Sequence, residues 1–148
     1  MKLIFKAYQF ALSERSKNWK ELPGKASNPN ITKAYRSVDG LGDAEKLDDS
    51  EYAWCSVFMN YCVQAVGGNG TRKANARSWL QWGKKCKPEQ GCVVVFKRGN
   101  SDWQGHVAFY VKTEGDYVYC LGGNQSNDLN ISKYKLADVL DYRTSSDD

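Results

Sequence analysis

No apolar run in the 148 residues approaches the length that crosses a bilayer, which excludes a membrane-spanning helix. No C-x-x-C pair occurs, and cysteine and histidine nowhere fall at zinc-ligand spacing, so a structural zinc site is excluded. Histidine occurs once, at position 106. Any chemistry that needs an imidazole must therefore use His106. Acidic residues are missing between Glu51 and Glu89, a span that holds Arg72, Lys73, Arg77, Lys84, Lys85 and Lys87. Such a stretch suits a polyanionic partner or is simply a solvated surface. No nucleic-acid motif accompanies it, so nucleic acid is not expected as a partner. There is no internal repeat, no linker and no sign of a second domain.

What is present is a globular composition. Hydrophobic residues make up 41%, with nine Tyr, five Trp and five Phe, and the net charge is +4. That supports one domain over residues 1–144, with 145–148 as a frayed tail. Met1-Lys2-Leu3-Ile4-Phe5 opens like a signal peptide but is broken by Lys6, Gln9 and Glu14, with no small-residue cleavage site. A chain made in the cytoplasm without a signal peptide is expected. Its five cysteines are then expected to stay reduced, with Cys62, Cys92 and Cys120 as small core residues.

Periodicity predicts helices first. One runs over about Leu3–Ser16, buried through Ile4, Phe5, Tyr8, Ala11 and Leu12. A second starts at Asn28-Pro29, cap and first helical residue. A third begins at Cys55, carries Val57, Phe58, Tyr61, Cys62, Ala65 and Val66 on one stripe, and stops at Gly67-Gly68. Asp48, Asp49 and Glu51 precede it. A short helix over about Ala74–Lys85 follows. The period then changes to that of strands: Cys92–Phe96, Gly105–Val111, Tyr117–Leu121, Asn130–Tyr134 and Val139–Arg143. Helices followed by an antiparallel meander make an α+β domain.

Cys55 falls in the first turn of its helix, where unpaired N–H groups and the dipole favour a thiolate. A cysteine nucleophile needs a base, and the base needs an orienting group. His106, at the start of a strand, is the one candidate base. Leu121-Gly122-Gly123-Asn124-Gln125 ends the next strand with polar groups, of which Asn124 is the expected orienting residue. Singly, a helical cysteine is more often structural and Gly122-Gly123-Asn124 more often a turn. Their order on three elements that must converge is what points to a thiol hydrolase.

The chain resembles the CHAP type (cysteine, histidine-dependent amidohydrolase/peptidase) of papain-like peptidoglycan hydrolases, and within it short CHAP-like proteins of bacteriophages and prophages. The resemblance runs along nearly the whole chain. It is carried by Glu21-Leu22-Pro23-Gly24 with Asn28-Pro29, by Asp48-Asp49 before Trp54-Cys55-Ser56, and by Ala76-Arg77-Ser78-Trp79-Leu80. Further along it is carried by Gly91 with Val93-Val94-Val95-Phe96, by Gly105-His106-Val107, by Leu121-Gly122-Gly123-Asn124-Gln125 and by Tyr142-Arg143. It implies a papain-like fold, Cys55 as nucleophile, His106 as base and Asn124 as third member. It also implies cleavage of an amide in the peptide part of peptidoglycan.

Two departures stand out. Cys92 occupies a position that is usually acidic, and the Asp48–Trp54 segment is longer than usual. The calcium-binding loop of some relatives is not recognisable, so neither metal nor cofactor is expected. Trp54, Trp103 and Gln125 flank the triad in sequence and are expected to touch substrate, against the alternative that they are core. Arg77 either binds a stem-peptide carboxylate or faces solvent. Bacterial peptidoglycan is the expected partner, with no nucleic acid, no membrane and a monomeric enzyme. The enzyme would reach the wall by holin-type or other release. A secreted amidase toxin with an immunity partner and an inactive wall-binding module are the alternatives. Either an N-acetylmuramoyl-L-alanine amidase or an endopeptidase would use the same triad.

Overall fold

A computed structural model describes residues 1–21, 28–40 and 54–146. Leu22-Pro23-Gly24 of the resemblance and the acidic residues Asp48, Asp49 and Glu51 lie outside them. The helices are α1 (Leu3–Glu14), α2 (Pro29–Tyr35) and α3 (Cys55–Ala65). The strands are β1 (Lys84–Lys85), β2 (Val93–Lys97), β3 (Gly105–Glu114), β4 (Tyr117–Gln125), β5 (Asp128–Lys135) and β6 (Val139–Thr144). They form one antiparallel sheet in the order β1-β6-β2-β3-β4-β5. This is the expected α+β architecture, consistent with a papain-like fold, with one more strand than the periodicity shows.

Helix α2 starts as its sequence dictates. Asn28 Oδ1 accepts the Asn30 N–H at 2.9 Å, and Pro29 fills the first helical position, where no backbone donor is needed. Helix α3 differs from the amphipathic expectation. Its residues from Cys55 to Asn60 are all buried, as are Cys62 and Val63. The apolar stripe packs into the core shared with α1, α2 and the sheet. The polar positions are covered as well. Ser56 Oγ donates to Lys73 O at 2.7 Å and accepts from Trp79 Nε1 at 2.9 Å, while Asn60 Oδ1 accepts the Arg72 N–H at 2.9 Å. With its first six residues enclosed, the start of α3 has little freedom to shift, which suits an element that carries a reactive group.

The helix expected over Ala74–Lys85 is a 3₁₀ turn, Ala76–Gln81, followed by the two-residue strand β1. Gly83 at φ 59° separates them, and there a side chain would run into the Thr144 carbonyl. Thr144 and Ser145 are buried, and Ser145 Oγ accepts the Ile4 N–H at 3.3 Å.

Side chains of the sheet divide into two cores. Val93, Val95, Val107, Phe109 and Leu121 face the helices. Cys92, Val94, Phe96, Ala108, Tyr110, Val118 and Cys120 form a second cluster. The first half of β3 is therefore buried on both faces, which is why its sequence reads as a continuous apolar run.

Candidate active site

Cys55 opens α3 and is 4% exposed. His106, near the start of β3, is 2% exposed and pairs in register with Phe96. Its ring lies beside two aromatic neighbours, Tyr134 at 4.9 Å and Phe96 at 6.2 Å between centroids. Burial pushes the Cys55 thiol up. His106, through side-chain hydrogen bonding and charge, the Val107 backbone N–H and the Arg98 guanidinium together outweigh it, and the thiol lies below its ordinary value. The other four cysteines go the opposite way. Burial raises Cys62, Cys86 and Cys120, and takes Cys92 up to about 12. Cys55 alone is electrostatically prepared to ionise.

The ring nitrogens of His106 are not equivalent. Nε2 meets Gln125 Oε1 at 2.9 Å. Nδ1 is buried and makes no hydrogen bond of full geometry, so it is the nitrogen left for the thiol.

The orienting contact corrects the sequence reading. Gln125, not Asn124, reaches the imidazole. Strand β4 carries an irregularity between Gly122 and Gln125, within which Asn124 adopts φ 59°. The inserted residue breaks strict alternation and turns the buried Gln125 side chain toward His106. Asn tolerates the left-handed region better than most residues, so Asn124 serves the backbone there. Gln125 is accordingly behind the imidazole and not on a substrate-facing surface.

Trp54 is also corrected. It is 0% exposed, stacks on Trp19 at 6.0 Å between centroids and lies against Gly123, so it is core. Trp103 is 70% exposed, on the loop between β2 and β3. Arg77 is half-buried and holds a loop. Its Nε donates to Gln104 O at 2.8 Å and its terminal nitrogen to Ser101 O at 2.7 Å, pinning the Trp103 loop just before His106. Arg98, which the CHAP resemblance includes but gives no role, is a cation whose charge reaches Cys55. Among the described residues, no three His, Cys, Asp or Glu side chains gather as a metal site would require, and no helix is long and apolar enough to cross a membrane.

This thiol at a helix start beside a strand-borne imidazole is accompanied by a direct sequence match. Residues 47–124 match the family model of the CHAP domain, just over half of the chain. The chain belongs to the CHAP domain family. No curated protein matches it. Membership places this CHAP domain among cysteine- and histidine-dependent hydrolases of the amidase/peptidase type that act on peptidoglycan. The matched region spans Cys55 and His106 and ends at Asn124, one residue short of the side chain that meets the imidazole.

Proposed function

We propose that this CHAP domain cleaves an amide bond in the peptide part of peptidoglycan through a thioacyl-enzyme on Cys55. The observation that carries the reading is that Cys55, of five cysteines, is the only one whose thiol is lowered, and that His106 heads the groups lowering it. In the proposed cycle His106 accepts the thiol proton and the thiolate attacks the carbonyl carbon. A C–S bond forms and the carbonyl electron pair moves onto oxygen. Donors at the start of α3, the Cys55 N–H among them, stabilise that oxyanion. Collapse breaks the C–N bond, and the amine leaves with the proton held by His106. Water, deprotonated by His106, then breaks the C–S bond and releases the acid.

Trp103 is proposed as a substrate contact, because it is exposed on a loop that Arg77 anchors beside the base. The endolysin role, acting in the periplasm or wall after release, rests on the resemblance to phage CHAP-like proteins. Neighbouring holin genes would support that role, and an immunity gene would redirect it to a toxin. The central test uses purified peptidoglycan and mass spectrometry of the released fragments. Wild-type protein is expected to yield new amine and carboxyl ends at one amide, which also identifies amidase or endopeptidase. Cys55→Ala is expected to release nothing. Equal release by Cys55→Ala would sink the nucleophile assignment.

A further inference from the structure

Gln125 is 1% exposed and every polar atom of its side chain is engaged. Its Nε2 amide nitrogen donates to Asn130 O at 2.7 Å, to Asn130 Oδ1 at 3.1 Å and to Cys120 O at 3.3 Å. Its Oε1 accepts from Cys120 Sγ at 3.3 Å and meets His106 Nε2 at 2.9 Å. Turning the amide over would set its carbonyl oxygen against three acceptors, so the amide has one orientation. Asn130 is fixed in turn. Its Nδ2 donates to Gln125 O at 2.8 Å, and Ser132 Oγ donates to its Oδ1 at 2.6 Å. A buried acceptor locked in place leaves His106 Nε2 one role, that of donor. The neutral ring then carries its lone pair on Nδ1, the nitrogen left for the thiol.

We infer that Gln125, clamped by Asn130 across the β4–β5 hairpin, is the positioning residue that fixes the tautomer and direction of His106. This rests on the thiol-hydrolase reading, but it extends that reading to a neutral amide lying beyond the family match. A carboxylate would not substitute. It would face the Asn130 and Cys120 carbonyls without a proton to offer.

The single histidine makes the test direct, because ¹⁵N-histidine labelling reports one imidazole. In the Cys55→Ala protein, at a pH where the ring is neutral, the Nε2–H tautomer is expected. Gln125→Met keeps the volume and removes the amide, and a mixture of tautomers is then expected. With Cys55 present, alkylation by iodoacetamide is expected to slow on the order of tenfold near neutral pH in Gln125→Met, with the pH midpoint moved up. Asn130→Ala, which leaves Gln125 in place but loosens it, should shift the midpoint the same way by less. Asn124→Gly keeps the left-handed backbone and should retain the wild-type alkylation profile. An Nδ1–H tautomer in the parent, or a profile that Asn124→Gly moves and Gln125→Met does not, overturns the inference. Neither readout uses peptidoglycan, so a different substrate would defeat the proposed function and leave this result standing.

Discussion

Arg98 acts on Cys55 across space, with no bond to it. Its guanidinium is exposed, and its charge favours the thiolate over the thiol. Removing a group that lowers a pKa raises that pKa. Arg98→Ala is therefore expected to move the alkylation midpoint of Cys55 to higher pH, and Arg98→Lys to move it less. The shift should shrink as salt is added, because an exposed charge is screened. A midpoint unmoved in Arg98→Ala at low salt would remove Arg98 from the site. His106 contributes both a hydrogen bond and a charge, so its loss should cost more than that of Arg98. At this scale the proposed nucleophile and base were legible as candidates in the chain. Cys55 stood at a helix start, and His106 was the one histidine available. The effect of Arg98 on the thiol was not legible, since only folding decides which basic residue has its charge reach Cys55.

Among the elements, the end of β4 is the one that reassigns roles. Gly122-Gly123-Asn124-Gln125 holds an inserted residue, and the hairpin that follows turns on Ser126 and Asn127, both at positive φ. Positive φ at both central positions matches the twist of the strands it joins. Gly123 lets this strand pass over the Cys55 helix. A Cβ there would lie 2.6 Å from the Trp54 ring and 2.8 Å from Phe58 Cβ. Gly123→Ala is expected to destabilise the fold by about 1–3 kcal/mol through overpacking. Urea unfolding would measure this, and an unchanged midpoint would mean that Trp54 and β4 separate easily. The loop between β2 and β3 shows a similar reassignment. Arg77 donates to two backbone carbonyls and so holds the Trp103 loop, a task its sequence position did not show.

Over the whole molecule, the sheet brings the reactive parts together and disposes of much of the basic stretch. Arg72 pairs with Asp39 at 2.9 Å, Lys85 with Asp141 at 3.2 Å, and Arg77 is internal to the site. Charges committed this way leave less of a polyanion-binding face than the sequence suggested. All five cysteines are free, so no crosslink constrains the unfolded chain. Thermal unfolding is expected at the same temperature with and without a reductant. Wall hydrolysis, in contrast, should be lost under mild oxidants that reach Cys55 and return on reduction. A melting temperature that falls with reductant would reveal a disulfide.

The chain by itself determined the order of elements, the α+β class and the candidates proposed as nucleophile and base. Each is encoded locally: periods of 3.6 and 2, a cap at Asn28, a thiol at a helix start, a single imidazole. Only the tertiary structure decided which polar side chain holds that imidazole and which tryptophan stays in solvent. Gln125 displaced Asn124 because one inserted residue reverses the face of a strand, and face is a property of register. Trp54 became core and Trp103 stayed exposed because burial depends on what packs above a residue, which neighbours in sequence do not specify.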